Sequence, residues 1–324
     1  MKTRNIRAVA IAAAAVVGLA ACSSSSSSTS ASSTAASGSD TQYTIALITH
    51  ETPGDTYWNI VRAGAEVAAK KLGVDLKYSS DPDFTKQSVL VQNAIDSKVD
   101  GIALTAAGPD ALIGVIKNAR DAGIPVVGLD SGIDDYQRLN MNMYFGSDEY
   151  VAGQALGKEI SKAGGKNTLC VIHQEGSVAL EARCKGVGEG VTTENIQVNG
   201  TDDASIKSSV TAKLQQDPSI DYLVAMGAPL ALVLEDAVAA AGSNAKITTF
   251  DLNLDAAQAI KDGKIAMAID AQPYAQGFMA VTSLWLYLTN GNDLGGGRAV
   301  LTGPSIVDST NIDKILPFAA KGTR

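Results

Sequence analysis

The feature that most constrains this chain is the regular alternation of short apolar runs with longer stretches whose apolar residues recur every three to four positions. The short runs are typical of buried strands, and the longer stretches predict amphipathic helices. This alternation predicts an α/β fold in which helices cover both faces of parallel sheets. A single sheet of ten strands would be unusually large, so we expect two sheets in two lobes.

The predicted elements cover most of the chain. The predicted strands are residues 43–48, 74–78, 101–105, 125–129, 143–145, 168–172, 195–198, 222–225, 247–250 and 264–269. The predicted helices are residues 56–72, 86–96, 109–122, 151–163, 204–216, 229–241 and 255–262.

Polar side chains lie just after several of these strands. His50, Asp130 and His173 come after the first, fourth and sixth predicted strands, and Asp251 follows the ninth. In open α/β sheets a ligand crevice lies beyond the carboxyl ends of the strands. Polar residues at these places also begin turns or cap helices, which is the simpler reading of any one of them. Because they come from both halves of the chain, they favour a site between two lobes.

The first 22 residues have the composition of a secretory signal, with basic residues before an apolar stretch that is short for a membrane span. Its ending, LAAC at residues 19–22, resembles a bacterial lipobox, which implies a lipid anchor at Cys22. A plain membrane anchor and an ordinary signal peptide are the alternatives. Residues 23–41 are mostly Ser, Thr, Ala and Gly, so we expect a flexible tether. The folded part is then expected at the outer face of the cell membrane, in the bacterial periplasm or cell envelope.

Charge and cysteine content narrow the class further. Removing the leader's three basic residues leaves 23 basic and 34 acidic side chains, a formal net charge of −11, and such a surface repels nucleic acid. With Cys22 assigned to lipid, Cys170 and Cys184 form an even pair in an oxidising compartment. A disulfide between them would close a loop of about 15 residues and add roughly 3 kcal/mol of stability. Two separate buried thiols are the alternative.

Seven short motifs together resemble one known family over residues 44 to about 305. The motifs are GDTYWNIVRAGAE (54–66), KVDGIALTAAGPDAL (98–112), AGIPVVGLDSG (122–132), FGSDEYVAGQALG (145–157), RCKGV (183–187), KITTFDLN (246–253) and IDAQPYAQG (269–277). In this order and spacing they resemble the periplasmic sugar-binding proteins of the ribose-binding type. These are the type I solute-binding subunits that capture substrates for ABC importers.

The resemblance implies two Rossmann-like lobes with parallel sheets, joined by a three-segment hinge, with the ligand held between them. The implied crossings lie near residues 146–148, 270–272 and 300–304. The implied N-terminal lobe comprises residues 42–146 and 272–301, and the implied C-terminal lobe comprises residues 147–271 and 302–324. Ligand-driven closure of the lobes is the expected mechanism, and an ABC permease in the membrane is the expected partner.

Candidate ligand-binding residues come from the loop after the first strand and from positions that match the family's motifs. Asp55 can accept hydroxyl protons or cap the next helix, while Tyr57 and Trp58 can cover apolar C–H surface or join the core. The resemblance implies hydroxyl contacts at Asp130, at Asp251 and at Arg183, which is expected to open a helix. The further candidates are Thr105, Ser131, Ser147, Gln272, His50 and His173. The simpler interpretation of the two histidines is that they are neutral, hydrogen-bonding side chains that contact no ligand.

Two departures from the ribose pattern point to another ligand. Gly227-Ala228 stands where ribose binders generally have an Asn-Asp pair, and Ala271 stands where a glutamine is usual. We therefore expect a neutral monosaccharide or sugar alcohol in place of ribose, either a linear polyol or another monosaccharide.

Other classes fit the sequence less well. No hydrolase, metalloprotease or phosphate-loop motif is present, so we expect no catalysis and no cofactor or metal. A sugar-responsive repressor would need a DNA-binding helix pair where this chain has its leader. A sensor subunit that presents its closed form to a membrane receptor remains the alternative to import. We expect a monomer.

Overall fold

The computed structural model describes residues 42–324, so the predicted leader, the lipobox with Cys22 and the tether lie outside the described residues. The strands, numbered along the chain, are β1 Thr44–Thr49, β2 Asp75–Ser80, β3 Gly101–Leu104, β4 Val126–Asp130, β5 Met143–Gly146, β6 Asn167–Ile172, β7 Thr192–Gln197, β8 Tyr222–Ala225, β9 Lys246–Phe250, β10 Ile265–Asp270, β11 Val300–Leu301 and β12 Ser305–Asp308. The helices are α1 Tyr57–Leu72, α2 Phe84–Asp96, α3 Pro109–Asp121, α4 Glu149–Lys162, α5 Val178–Val187, α6 Asp203–Gln216, α7 Ala228–Ala241, α8 Leu254–Lys261, α9 Pro273–Asn290 and α10 Ile312–Ala319.

These elements form two six-stranded sheets, which confirms the prediction of an α/β fold with two lobes. The first sheet has the order β11-β5-β4-β3-β1-β2 and is parallel throughout. The second has the order β12-β10-β9-β8-β6-β7 and is parallel except for β12, which is antiparallel to β10. Strands β1 to β5 and strands β6 to β10 thus follow the same order in the two sheets.

Side chains alternate in direction along each strand, which explains why each sheet is covered on both faces. In β1, Ile45 and Leu47 point into a core with α1 and α9, whereas Ala46 and Ile48 point into a core with α2 and α3. Successive strand residues face opposite sides, so a strand that is apolar throughout requires helices on both. The second sheet is covered in the same way, with α6, α7, α8 and α10 on one face and α4 and α5 on the other. We call each sheet with its helices the first and the second lobe.

The chain passes between the lobes three times, which confirms the predicted three-segment hinge. The passages lie between β5 and α4, between β10 and α9, and between β11 and β12. The residue-level limits of the lobes given above remain a prediction.

The structure corrects several predicted elements. Strand β7 begins at Thr192, three residues before its predicted start at residue 195. Helix α5 begins at Val178, so Arg183 lies inside it and does not open it. Helices α9 and α10 and the short strands β11 and β12 were not predicted.

The predicted disulfide is present and fixes α5 to the second sheet. Cys170 in β6 and Cys184 in α5 are bonded, with their Cα atoms 5.9 Å apart. None of the helices within residues 42–324 has the length and apolar character needed to cross a membrane. The same residues contain no cluster of three or more metal-ligating side chains.

Candidate functional site

The shared strand order brings equivalent strand ends from the two lobes to one cleft. His50 follows β1 and His173 follows its counterpart β6, while Asp130 ends β4 and Asp251 follows its counterpart β9. The cleft contains about 470 Å³ of space free of protein atoms, part of it open to solvent. The lining residues are His50, Thr52, Asp55, Tyr57, Trp58, Asp130, Ser131, His173, Gln174, Ser177, Ala179, Leu180, Arg183, Met226, Gly227 and Asp251.

Asp130 is held in a fixed orientation by its neighbours in the first lobe. The Tyr57 hydroxyl donates to Asp130 Oδ1 at 2.6 Å, and the Ser131 hydroxyl donates to Asp130 Oδ2 at 2.7 Å. The Asp130 backbone has φ +63°, and its counterpart Asp251 has φ +65°. Left-handed backbone costs a residue other than glycine energy and concentrates at functional sites. The same strained turn therefore presents a carboxylate to the cleft from each lobe.

Arg183 lies at the centre of a buried ion network in the second lobe. Its Nε donates to Glu149 Oε2, and its Nη1 donates to Asp251 Oδ2 at 3.2 Å. Its guanidinium also lies over the Phe250 ring, 4.7 Å from the centroid. All three charged side chains are almost fully buried. Burial raises the pKa of both Glu149 and Asp251, and the guanidinium opposes that rise.

Both histidines are held neutral, and His50 is buried while His173 is half-buried. Burial lowers the pKa of His50 to about 4 and that of His173 to about 4. His50 Nδ1 lies 2.7 Å from Thr105 Oγ1, and Gln87 Nε2 donates to the Thr105 carbonyl at 2.9 Å. The Trp58 ring meets the His50 ring edge-on, with centroids 4.8 Å apart. A neutral imidazole can donate at one nitrogen and accept at the other, as a hydroxyl ligand needs.

Three buried polar atoms of the cleft have no hydrogen-bond partner within residues 42–324. They are His173 Nδ1, Ser177 Oγ and Asp251 Oδ1, all from the second lobe. Leaving a buried polar atom unpaired costs free energy of about 1–3 kcal/mol. A ligand with several hydroxyl groups would provide the missing partners.

The loop after β1 contributes an acid and two aromatic rings. The half-buried Asp55 lines the cleft and also accepts a bond from the backbone N–H of Tyr57 at 3.0 Å. Burial raises the pKa of Asp55 to about 6. Tyr57 and Trp58 both line the cleft and both belong to the first lobe's core. Both rings are therefore core aromatics and also part of the cleft wall.

Three of the residues proposed from sequence do not line the cleft. Thr105 lies behind the wall, in contact with His50. Gln272 lies at the hinge with φ +57°, and its Nε2 donates to the Thr302 carbonyl. Ser147 is also at the hinge and is buried, close to Gly303. His50, Asp55, Tyr57, Trp58, Asp130, Ser131, His173, Arg183 and Asp251 do line it.

Sequence reasoning missed three polar residues that support the site from helices. Glu149 in α4 holds Arg183, and Gln87 in α2 holds Thr105. Gln276 in α9 is fully buried, with Oε1 3.1 Å from the Tyr57 hydroxyl and Nε2 donating to the Ala271 carbonyl at the hinge. Two of them lie in motifs quoted above: Glu149 in the motif at residues 145–157, where it reads as an ordinary helix-start acid, and Gln276 in the motif at residues 269–277.

Direct contacts between the lobes surround the cleft. Asn253 Nδ2 donates to Thr56 Oγ1 at 3.0 Å, and the backbone N–H of Val178 donates to the Ala107 carbonyl at 3.1 Å. Gln174 Nε2 reaches the Pro82 carbonyl at 3.3 Å. The structure is therefore a closed arrangement in which both lobes contribute walls.

Comparison with known proteins agrees with this geometry. The model of the periplasmic binding protein domain family matches residues 45–293. The ribose import binding protein of Bacillus subtilis is 25% identical over 255 residues, which cover 75% of this chain and 81% of that protein. The xylose/arabinose-binding protein of Sulfolobus acidocaldarius is 25% identical over 257 residues, which cover 74% of this chain and 64% of that protein's length.

One solved structure has a higher sequence identity to this chain than these two proteins have. A carbohydrate transporter from Acidothermus cellulolyticus 11B, crystallised in complex with myo-inositol, is 51% identical, with a TM-score of 0.86. The match covers 87% of this chain and 100% of that chain. These comparisons confirm the resemblance to the ribose-binding type. The similar proteins bind or transport solutes, which confirms the prediction that the chain is not an enzyme.

Proposed function

From the premise that this chain belongs to the periplasmic binding protein domain family, we propose that it captures a neutral cyclic polyol in the interlobe cleft and delivers it to an ABC importer. Myo-inositol is the first candidate ligand. Family membership implies an extracytoplasmic location. We further propose that a lipid at Cys22 anchors the protein to the membrane and that it acts as a monomer.

The observation that carries this proposal is the set of unpaired buried atoms in the cleft. His173, Ser177 and Asp251 all line the cleft, and His173 Nδ1, Ser177 Oγ and Asp251 Oδ1 have no partner in the described part of the chain. A ring with a hydroxyl on every carbon can offer a donor or an acceptor to each of them. The Trp58 and Tyr57 rings supply apolar surface for the ring's C–H groups.

The charges of the cleft favour a neutral ligand. The carboxyl groups of Asp55, Asp130 and Asp251 line it, Glu149 lies directly behind, and Arg183 is the one guanidinium among the lining residues. Arg183 is already engaged with Glu149 and Asp251. A phosphate or carboxylate entering this cleft would meet uncompensated negative charge, which is costly at low dielectric.

Two features favour an inositol over ribose. The similar carbohydrate transporter of Acidothermus cellulolyticus was crystallised with myo-inositol, and it is 51% identical to this chain. Gly227 stands where ribose binders generally have a hydrogen-bonding side chain, and a Cβ placed there would meet only His173 Cε1, at 3.8 Å. The His173 imidazole borders the space that such a side chain would occupy.

Isothermal titration of the folded domain, residues 42–324, tests the proposal. We expect saturable binding of myo-inositol, weaker binding of ribose, and no binding of myo-inositol 1-phosphate or glucuronate. Tight binding of ribose without a response to inositols would refute the ligand assignment. Tight binding of an anionic sugar would refute the charge argument.

A further inference from the structure

A second cavity lies beside the cleft, on the side of the second lobe, and shares part of its wall. This side chamber contains about 980 Å³ free of protein atoms, part of it open to solvent, compared with about 470 Å³ in the cleft. Its lining residues are Thr52, Pro53, Gly54, Asp55, His173, Gly200, Thr201, Asp202, Asp203, Ile206, Gly227, Pro229, Leu230 and Val233. The proposed function above assigns nothing to this space.

The chamber and the cleft share four lining residues, Thr52, Asp55, His173 and Gly227. Gly227 carries no side chain that could close the passage between the two spaces, and a Cβ there would have only His173 Cε1 within 4 Å. His173, with its unpaired Nδ1, stands at the junction. A group attached to the ligand in the cleft therefore has a route into the chamber beside His173 and Gly227.

The walls of the chamber have the chemistry of a carbohydrate subsite. Ile206, Pro229, Leu230 and Val233 form an apolar wall at the starts of α6 and α7. Carboxylates lie at its rim and its junction, contributed by Asp202, Asp203 and Asp55. Asp202 already accepts the Ser205 backbone N–H at 2.9 Å with one oxygen, which leaves its other oxygen for a hydroxyl.

Apolar surface next to carboxylates matches the two kinds of surface that a sugar ring presents, C–H faces and hydroxyl groups. The same carboxylates disfavour a phosphate substituent. Because the chamber and the cleft share part of their walls, a ring in the chamber would be attached to a partner ring in the cleft.

We propose that the side chamber is a second subsite that holds a neutral sugar ring linked through oxygen to the polyol in the cleft. The substrate class of this protein then extends from free cyclic polyols to their mono-O-glycosides. This inference rests on the proposed function, since the cleft must first hold the polyol. The experiment below distinguishes a failure of this inference from a failure of the proposed function.

The test compares myo-inositol with mono-O-galactosyl-myo-inositols substituted at each ring position in turn, by isothermal titration. We expect at least one galactoside to bind the wild-type protein within about tenfold of myo-inositol, a difference of about 1.4 kcal/mol. If every galactoside fails while myo-inositol binds, the chamber is only a solvent path and the inference is refuted, while the proposed function stands. If neither ligand type binds, the proposed function itself fails.

Variants that fill the chamber provide the second part of the test. Val233→Trp, on the partly buried chamber wall, and Thr201→Trp, at the exposed rim, place an indole inside. We expect each to weaken galactoside binding by about tenfold or more and to leave the affinity for myo-inositol unchanged. Val89→Trp on the exposed face of α2 is the matched control and should alter neither affinity. Equal losses for both ligands, or no loss for the galactoside in either variant, would refute the subsite.

Discussion

Asp251 is the residue at which the ligand cleft meets the buried ion network. One carboxylate oxygen receives a bond from Arg183 at 3.2 Å, and the other lines the cleft without a partner. Its strained backbone, with φ +65°, fixes the carboxylate at the end of β9. Arg183 is a poorer residue to test by truncation, because its loss leaves Glu149 and Asp251 buried without a cation. Breaking such a buried network typically costs about 3–5 kcal/mol of stability.

Asp251→Asn should weaken polyol binding without unfolding the protein. The amide keeps the shape of the side chain, and Glu149 still balances Arg183, so the fold is retained. A lost hydrogen bond to a charged group is worth about 1.5–3 kcal/mol, which is roughly a ten- to hundredfold loss of affinity. Titration calorimetry with myo-inositol measures this, and thermal unfolding by circular dichroism checks the fold. Asp110→Asn, at an exposed carboxylate, is the control, and unchanged affinity in Asp251→Asn would show that the cleft is misassigned.

His50 should make stability depend on pH in one defined window. Burial lowers the pKa of folded His50 from 6.5 to about 4. As pH falls through 6.5, the unfolded chain therefore gains a proton at this residue while the folded protein does not. The stability that neutral His50 provides is thus complete above pH 6.5 and is lost progressively down to about pH 4.

The variant His50→Gln isolates this contribution, because every other titrating group is common to the two proteins. Between about pH 7.5 and pH 5, the free energy of unfolding of the wild type should fall by roughly 2 kcal/mol more than that of the variant. Urea unfolding at both pH values measures the difference. Parallel changes in the two proteins would contradict the buried, neutral state of His50.

At the scale of elements, the contact between α4 and α5 positions Arg183 beside Glu149. Gly153 in α4 and Gly186 in α5 let the two helices approach closely. A Cβ on Gly153 would lie 2.1 Å from the Arg183 carbonyl oxygen, and a Cβ on Gly186 would lie 2.2 Å from the Tyr150 carbonyl oxygen. Real Cβ atoms do not approach backbone so closely, so any side chain at either position forces the helices apart.

Gly153→Ala should therefore both destabilise the protein and weaken ligand binding. Overpacking of this kind typically costs about 1–3 kcal/mol, and displacement of α5 moves Arg183 away from Asp251. Gly114→Ala in α3 is the matched control, because a Cβ there meets nothing within 4 Å. That helix substitution should stabilise by about 0.5–1 kcal/mol. Chemical denaturation and calorimetry on both variants provide the comparison, and a neutral Gly153→Ala would contradict the close helix contact.

Elements with strong periodicity could be predicted from sequence, and those without it could not. Strands such as β1 and β4 are apolar and bounded by clear turns, so their positions were predicted to within a residue or two. Helix α9 is rich in apolar residues around much of its circumference, because α1 and the first sheet pack against it, and it shows no clear polar face. Strand β11 has only two residues, too few to form a pattern, and β12 has a polar residue at each end, Ser305 and Asp308, so only its two central residues are apolar.

Strand ends were also the part of the site that sequence could predict. Asp130, His50 and their counterparts in the second lobe follow strands, and parallel topology brings such positions together. Glu149, Gln87 and Gln276 lie on helices and reach the site only through the packing of the whole molecule. No local pattern distinguishes them from ordinary helix residues. Ser147 and Gln272 were carried over by resemblance, and they lie at the hinge instead of in the cleft.

At the scale of the whole molecule, closure brings the lobes into direct contact beside the ligand cleft. The Asn253–Thr56 bond joins the start of α8 in the second lobe to the start of α1 in the first. The Thr56 hydroxyl makes no capping bond within its own helix. This contact stabilises the closed state and is broken when the lobes separate.

Thr56→Val should speed ligand release, because it removes the acceptor of this bond and keeps the side-chain shape. A typical net hydrogen bond of about 0.5–1.5 kcal/mol corresponds to a dissociation rate roughly two- to tenfold faster. Stopped-flow fluorescence with Trp58 in the cleft wall measures the rate. Thr85→Val at the exposed start of α2 is the control. Identical release from Thr56→Val and wild type would show that the contact does not hold the closed form.

The most direct measurement is a crystal structure of residues 42–324 grown with myo-inositol. We expect the ring in the cleft between Asp130 and Asp251, with hydroxyl groups bonded to His173 Nδ1, Ser177 Oγ and Asp251 Oδ1. A ring bound outside the cleft, or a cleft occupied by an anion while these three atoms remain unpaired, would contradict the account.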